Sequence, residues 1–325
     1  MKTPAFWQQD NFLARILAPL GWVYYGISRL HRWLQSIAAR PQALSAPIIC
    51  IGNVTAGGSG KTPATRMIAS LLKIHGQNPH CISRGYGGKA QAEPVHVHAQ
   101  KHSAKEVGDE LLLLAQTCES WVCTHRQKAA THAAKADATV ILSDDGLQNP
   151  TFHKDISLLV IDSHYGIGNG LLIPAGPLRE PLACALQKSD AVILIGEGNY
   201  TPPTSLPVWR AHLKVITDLQ PYKQYRFVAF AGIAHPQKFF DRLRVEGLKV
   251  EEEVIYGDHH FYTATDVSLL QDKAEEYDAK LITTAKDFTK LPAAMREECM
   301  VLDVKLQLEK PQEFLTWLEG KIAHG

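Results

Sequence analysis

The sequence predicts an α/β fold in which a doubly wound, mostly parallel sheet is followed by a second, smaller α/β domain and preceded by an amphipathic helix. Short apolar runs alternate with helical stretches along most of the 325 residues, which is typical of parallel sheets covered by helices. A glycine-rich loop follows the first of these runs, and a proline-rich stretch at 197–223 separates two α/β units. The expected boundaries are 1–40 for the helix, 41–215 for the larger domain and 216–325 for the smaller one.

The first forty residues have the apolar spacing of an amphipathic helix, which runs from Phe12 to Leu34. The uncharged run between Arg15 and Arg29 is shorter than the about 20 residues that span a bilayer, and Pro19 should kink the helix. The flanking basic residues are Arg15, Arg29, Arg32 and Arg40, and the nearby tryptophans are Trp7, Trp22 and Trp33. Such flanks are typical of a helix in a membrane interface. A helix packed on its own domain would have the same periodicity, so both interpretations stay open.

Composition excludes several other classes of protein. A formal net charge of +1 does not indicate a nucleic-acid partner, because binding to a phosphate backbone normally requires a basic excess. The six cysteines are scattered without a C-x-x-C pair, which favours free thiols over a disulfide framework or a zinc site.

Apolar runs mark the expected strands in order. The larger domain has runs at 47–51, 80–83, 139–143, 156–162 and 191–195, with helices at 62–75 and from about Asp109. In the smaller domain the runs lie at 227–230, 249–256 and 279–284, and a helix begins at His235-Pro236.

The strongest local signal lies between the first strand and the first helix of the larger domain. It consists of Thr55, Ala56, Gly57, Gly58, Ser59, Gly60, Lys61 and Thr62. Glycines allow backbone N–H groups to turn toward phosphate oxygens, and the helix N-terminus adds partial positive charge. In such a P-loop, Lys61 is expected to bridge the β- and γ-phosphates of ATP, and the Thr62 hydroxyl to bind Mg²⁺. The strict pattern has glycine where this chain has Thr55.

Two adjacent acids, Asp144 and Asp145, end an apolar strand. Carboxylates in this position of P-loop proteins hold Mg²⁺ directly or through water. The sequence predicts Asp145 as a metal ligand. Asp144 is predicted either as a metal ligand or as a residue that contacts the ligands and not the metal itself.

Several further motifs occur in a fixed order. They are Gly52-Asn53-Val54-Thr55, Ser83-Arg84-Gly85-Tyr86-Gly87, Gly108-Asp109-Glu110, Asp144-Asp145-Gly146-Leu147-Gln148-Asn149, Gly168-Asn169-Gly170, Pro174-Ala175-Gly176-Pro177-Leu178-Arg179-Glu180-Pro181, Ala231-Gly232-Ile233-Ala234-His235-Pro236, Asp258-His259-His260 and Thr283-Thr284-Ala285-Lys286-Asp287. In this order, and over almost the whole chain, they resemble the tetraacyldisaccharide 4′-kinase family, the lipid A 4′-kinases. The chain departs from the family pattern at Thr55 and at Ala285, where the family has glutamate.

The resemblance implies an enzyme that transfers the γ-phosphate of ATP to the 4′-hydroxyl of an acylated glucosamine disaccharide 1-phosphate. It implies work at the cytoplasmic face of the Gram-negative inner membrane, with the N-terminal helix at the membrane surface and the site in a cleft between two domains. It also implies an Asp109–His259 dyad, in which Asp109 accepts the hydroxyl proton and His259 orients it. Without the resemblance, Asp109 would be an ordinary first-turn helix residue and His259 a loop histidine.

Other residues are expected in supporting roles. Glu110 joins Thr62, Asp144 and Asp145 as a candidate for the Mg²⁺ shell, and Arg179 is a candidate phosphate clamp because a guanidinium matches phosphate geometry. The candidates for contact with the disaccharide or its phosphate are Asn53, Arg84, Tyr86 and Arg126.

One alternative of a different class is a membrane-bound nucleotide switch of the deviant Walker type. That class carries a signature lysine before the double glycine, and this chain has Ala56 there. The sequence does not indicate the oligomeric state or the acyl-chain preference.

Overall fold

The structure, a computed structural model, describes residues 4–9, 11–39 and 41–324, so Arg40 lies outside the described residues. The strands are β1 Ile48–Gly52, β2 Pro79–Ser83, β3 Val95–Val97, β4 Ser120–Val122, β5 Val140–Asp144, β6 Ile156–Asp162, β7 Ala191–Ile195, β8 Val208–Val215, β9 Arg226–Ala231, β10 Lys249–Ile255, β11 Ala279–Thr284, β12 Cys299–Leu302 and β13 Val304–Leu308. The α-helices are α1 Phe12–Ala38, α2 Lys61–Ile74, α3 Ala104–Val107, α4 Asp109–Ala115, α5 Arg126–Lys135, α6 Leu182–Gln187, α7 Pro236–Val245, α8 Ala264–Glu276, α9 Ala285–Phe288, α10 Ala293–Glu298 and α11 Pro311–His324. Short 3₁₀ helices cover Ala5–Gln8 and Gln220–Tyr222.

Nine strands form the larger sheet in the order β13-β8-β7-β6-β1-β5-β2-β4-β3. All neighbours are parallel except the two edge pairs, β13 with β8 and β3 with β4. Every residue of β1, β5 and β7 is buried, as expected for parallel strands covered on both faces. The doubly wound, mostly parallel sheet is therefore confirmed, and its central strand β1 leads into the glycine-rich loop.

The second α/β unit has four parallel strands in the order β10-β9-β11-β12. One face packs on Phe239, Phe240 and Leu243 of α7, and the other packs on Leu270 of α8 and Met295 of α10. The second domain expected from the sequence is present.

The C-terminal segment returns to the larger unit, which differs from the expected boundary of 216–325 for the smaller domain. β13 pairs with β8 at the sheet edge, with Leu306 opposite Leu213. Leu306, Phe314 and Leu318 are buried in the same core cluster as Ile193 of β7. The burial of these apolar side chains against the larger sheet explains why the chain crosses back after β12.

The N-terminal helix α1 is 27 residues long and continues without a break through Pro19. Asn11 begins it, because its side chain accepts a hydrogen bond of 2.9 Å from the backbone N–H of Ala14. The helix lies against the larger unit at Gly21, where an added Cβ would come within 3.0 Å of Leu172. No helix in the described part of the chain is long and apolar enough to cross a membrane.

Candidate active site

The glycine-rich loop connects β1 to α2 at the centre of the larger sheet. Gly57 and Gly60 have φ values of 104° and 83°, which only glycine adopts without strain. Thr55 instead forms an extended bridge with Leu178, and its φ is not positive. This explains why the chain accommodates threonine where the strict P-loop pattern has glycine.

Asn53 lies beneath this loop and not in the cleft. Its side chain is fully buried, and its amide nitrogen donates to the carbonyl of Thr55 at 2.6 Å. The backbone carbonyl of Asn53 accepts a hydrogen bond of 2.7 Å from Gln148. These contacts use the amide nitrogen and the backbone carbonyl of Asn53 to hold the start of the loop, and the contact of Asn53 with the acceptor stays a prediction.

The two acids after β5 have different partners. The Thr62 hydroxyl lies 3.4 Å from Asp144 Oδ2, whereas Asp145 faces the Lys61 ammonium at 3.7 Å and the Arg179 guanidinium at 3.2 Å. Burial raises the pKa of Asp144 to about 7. Burial also opposes ionisation of Asp145, but the cations Lys61, Arg179 and Arg126 outweigh it and lower its pKa to about 2. Asp145 is therefore held as an anion by cations, and Asp144 is the acid next to Thr62.

Arg126 is buried and holds the end of β5 through hydrogen bonds to its backbone. Its Nη2 donates to the backbone carbonyls of Asp144 at 3.1 Å and Asp145 at 2.7 Å. Burial lowers the pKa of this guanidinium to about 10. Arg126 also borders the cleft, but the contacts it makes here are to the protein backbone.

The residues around Thr62 fit part of a Mg²⁺ shell. Asp144 Oδ1 is buried without a hydrogen-bond partner, and Mg²⁺ is bound in such sites by one or two carboxylates together with phosphate oxygens and water. Among the described residues, no three histidine, cysteine or carboxylate side chains are grouped so as to hold a metal ion. Glu110 pairs with Lys286, but its charge also acts on Asp144 and helps to raise the pKa of that carboxyl, while Asp145 pairs with cations. The expected shell of Thr62, Glu110, Asp144 and Asp145 therefore stays a prediction.

Asp109 and His259 meet across the two units although 150 positions separate them. His259 Nδ1 lies 3.0 Å from Asp109 Oδ2 and 3.1 Å from Oδ1. Burial opposes ionisation of Asp109, but the hydrogen bond with His259 and the nearby lysine charges lower its pKa. Only 3% of the Asp109 side chain is exposed, against 21% of His259, so the histidine lies between the carboxylate and the cleft.

Two lysines of the second unit reach the same carboxylates. Lys286 lies 3.3 Å from Glu110 and 3.9 Å from Asp109. The fully buried Lys290 lies 3.7 Å from Asp109 and 2.9 Å from Asp287. Burial opposes the charge of Lys286, but the carboxylates around it raise its pKa above the usual range.

The loop Arg84–Gly88 borders the pair from the larger unit. Gly85 and Gly87 both have positive φ, and an added Cβ on Gly88 would lie 2.6 Å from the backbone nitrogen of Gly108. The exposed ring of Tyr86 packs edge-on against His259, with 5.1 Å between centroids. Tyr86 and Arg84 thus lie at the mouth of the cleft beside the dyad.

One cavity of about 1570 Å³ contains these groups. It is lined by the loop 57–62, Arg84, Tyr86, Glu110, Arg126, Asp145, Arg179, Asp258, His259 and Lys286. Ser28, His31, Arg32 and Gln35 of α1 also line it. The two units touch at the loop itself, because an added Cβ on Gly58 would lie 3.1 Å from Ala234. The cavity thus joins the glycine-rich loop, the His259 ring of the Asp109–His259 pair and the N-terminal helix.

Comparison with known sequences identifies the family of this chain. The sequence model of the family described as tetraacyldisaccharide-1-P 4′-kinase matches residues 13–323. The chain belongs to this family. It is 44% identical to the tetraacyldisaccharide 4′-kinase of Methylobacterium nodulans over 334 aligned positions, covering 99% of this chain and 96% of the relative. It is 42% identical to that of Hyphomonas neptunium over 317 positions, covering 95% and 94%.

A crystal structure of the 4′-kinase family protein LpxK from Aquifex aeolicus in complex with ATP has the same fold. The TM-score is 0.76 with 25% sequence identity, and the match covers 95% of this chain and 99% of the other. The α/β fold with a cleft between two units and an N-terminal helix is therefore the fold of a tetraacyldisaccharide 4′-kinase.

Sequence reasoning missed the lysines in the site of this 4′-kinase family member. Lys286 lies in the Thr283–Asp287 motif, and Lys290 follows one turn later. Ala285, the departure from the family pattern, is the first residue of α9 and borders the cleft beside Lys286. The motif pointed to the segment, but only the fold shows that its lysines face Asp109 and Glu110.

Proposed function

We propose that this chain transfers the γ-phosphate of ATP to the 4′-hydroxyl of tetraacyldisaccharide 1-phosphate, giving lipid IVA in lipid A biosynthesis. The observation that carries the proposal is the presence, in one cavity of a family member, of a phosphate-binding loop and a carboxylate–imidazole pair. A loop without a base would suit a nucleotide switch, whereas a sugar hydroxyl is a poor nucleophile that gains from a base.

The nucleotide end of the cleft is built from the loop 55–62. Lys61 is the first residue of α2, so its ammonium and the helix N-terminus would together meet the β- and γ-phosphates. Thr62 and Asp144 would hold Mg²⁺, which supplies charge neutralisation to the phosphates when bound. Arg179, 29% exposed and anchored on Asp145, is placed to contact the transferring phosphoryl group.

The base at the acceptor end is the Asp109–His259 pair. Because His259 lines the cleft and Asp109 lies behind it, the arrangement favours His259 Nε2 as the proton acceptor and Asp109 as the group that orients the ring. This order is the reverse of the one expected from the sequence. Arg84 and Tyr86, beside the histidine, would contact the disaccharide or its 1-phosphate.

The proposal is tested by measuring how much of the γ-phosphate of ATP is transferred to the lipid and how much is released as free phosphate. Purified protein is incubated with γ-labelled ATP, Mg²⁺ and tetraacyldisaccharide 1-phosphate in detergent, and label in lipid is compared with label in free phosphate. We expect label in the lipid, with hydrolysis a minor path. Hydrolysis by folded protein without labelled lipid would favour the nucleotide switch.

Helix α1 would bring the enzyme to the membrane that holds this acceptor. Its side away from the domain exposes large apolar residues, which are Phe12, Leu13, Ile16, Leu20, Trp22, Val23, Ile27, Leu30, Trp33, Leu34 and Ile37. An acylated acceptor does not leave the bilayer readily, since each buried CH₂ is worth about 0.8 kcal/mol. We infer that this face lies in the interface at the cytoplasmic side of the inner membrane.

Substitution on this face should weaken membrane binding. Ile27 is 65% exposed, so Ile27→Glu leaves packing intact but places a charge in the apolar face. We expect a roughly tenfold or greater loss of partition into phospholipid vesicles, because removing one Ile from an apolar phase costs about 1.5–3 kcal/mol. Flotation with vesicles measures the partition, and Ile74→Glu is the control, because Ile74 of α2 is also exposed, at 76%. Equal flotation of both variants and wild type would mean that α1 serves only its own domain.

A further inference from the structure

Lys286 contacts His259 but takes no part in the proton transfer proposed for the Asp109–His259 pair. It is the second residue of α9, and its ammonium lies 3.3 Å from Glu110 Oε1, 3.4 Å from His259 Nε2 and 3.7 Å from Asp258 Oδ1. Only 20% of its side chain is exposed. A cation is thus held by carboxylates against the ring nitrogen that faces the cleft.

This contact and the one between Nδ1 and Asp109 both act on which nitrogen of His259 carries the proton. An ammonium has three donors and no acceptor, so it approaches a ring nitrogen favourably only where that nitrogen has a lone pair. The contact with Lys286 thus favours a lone pair on Nε2, and the Asp109 carboxylate 3.0 Å from Nδ1 favours the proton on Nδ1. Both ring nitrogens then have complementary partners.

The other neutral tautomer leaves both contacts unsatisfied. With the proton on Nε2, an N–H would face the Lys286 ammonium, and the Nδ1 lone pair would face the carboxylate of Asp109. The only carboxylate close to Nε2 in the described part of the chain, Asp258, is 3.9 Å away, beyond hydrogen-bond distance.

We propose that Lys286 is a positioning residue that keeps His259 in the tautomer with the proton on Nδ1 and the lone pair of Nε2 directed to the cleft. The inference rests on the proposed function for its role in the reaction. As the acceptor oxygen bonds to the γ-phosphorus and the bond to the bridging oxygen breaks, ADP leaves with the electron pair and the hydroxyl proton moves to Nε2. Asp109 then faces the resulting imidazolium, and Lys286 stays paired with Glu110.

The tautomer can be read directly in the resting protein. Protein labelled with ¹⁵N-histidine gives separate ring-nitrogen signals, and His259→Gln assigns those of His259. We expect a protonated Nδ1 and an unprotonated Nε2 in wild type. In Lys286→Met, which keeps the length of the side chain but removes the charge, the tautomer with the proton on Nε2 should gain population.

Kinetics provide the second readout. We expect Lys286→Met to lower kcat by about 10- to 100-fold with KM for ATP changed less than about threefold, a smaller loss than the about 10⁴-fold of a fully wrong tautomer. Lys286→Arg, which keeps the charge, should recover part of kcat and the wild-type tautomer. Lys273→Met is the matched control, because Lys273 is 24% exposed and pairs with Glu252 in the same unit.

The outcomes separate this inference from the proposed function. An unchanged His259 tautomer in folded Lys286→Met, or unchanged kcat, overturns the positioning role. If wild type transfers no phosphate to the lipid, the proposed function fails, whereas the spectra of the resting protein still decide whether Lys286 sets the tautomer. Lys286→Arg serves in place of Lys286→Met for both readouts if the latter does not fold.

Discussion

Replacing Lys61 by alanine is expected to lower phosphate transfer to the lipid by about 10³-fold or more. The ammonium of Lys61 is 11% exposed, lies 3.7 Å from Asp145 and stands at the start of α2, where phosphates would meet the helix. Its removal takes away a preorganised charge that no other residue of the loop 55–62 supplies. Transfer of label from γ-labelled ATP measures the loss.

The control for Lys61 lies on the same helix. Lys73 is near the end of α2, where its ammonium donates to the Thr117 carbonyl at 2.9 Å, outside the residues that line the cavity. Lys73→Ala should retain near wild-type transfer. Comparable activity of the Lys61 and Lys73 variants, both shown to be folded, would contradict the assignment of the loop as the ATP site.

The second large effect concerns the Asp109–His259 pair. We expect His259→Gln and Asp109→Asn each to lower kcat by about 10²–10⁴-fold, the usual contribution of a general base. Because the two residues act as one unit across a 3.0 Å contact, the double variant should lose little more than the worse single variant. Single-turnover transfer with saturating ATP measures all three.

The neighbouring histidine is the matched control. His260 is also partly buried, and its ring nitrogen lies 3.0 Å from Asp266, but it does not line the cleft. His260→Gln should keep kcat within a few-fold of wild type. Losses that multiply in the double variant would indicate two independent groups and not one dyad.

Much of the fold follows from local sequence. Each apolar run predicted as a strand forms one, because buried parallel strands need continuous apolar residues such as Ile48–Ile51. The stretch 197–223 has the prolines of a linker between the two units, but it contains the strand β8, Val208–Val215. It is a strand because β7 and the distant β13 supply its hydrogen-bonding partners, and no local pattern encodes that pairing.

The site was predictable in its parts but not in its contacts. The resemblance indicated Asp109 and His259 as partners, and the structure places them together. It did not indicate that His259 lies between Asp109 and the cleft, or that Lys286 faces Nε2 of His259. Asp144 and Asp145 are adjacent in sequence, yet one faces Thr62 and the other two cations, because the positive φ of 56° at Asp145 turns the chain between them. These contacts depend on the folded backbone and on the packing of the two units, and the spacing of residues in the sequence does not determine them.

We expect this chain to place a phosphate on the 4′-hydroxyl of the disaccharide. The most direct test is ³¹P and ¹H NMR of the lipid recovered after reaction of the wild-type protein with ATP, Mg²⁺ and tetraacyldisaccharide 1-phosphate. We predict a second phosphate monoester whose phosphorus couples to the proton at carbon 4′, and its absence with Lys61→Ala. A product carrying the new phosphate at another position, or an unchanged lipid beside consumed ATP, would contradict the account.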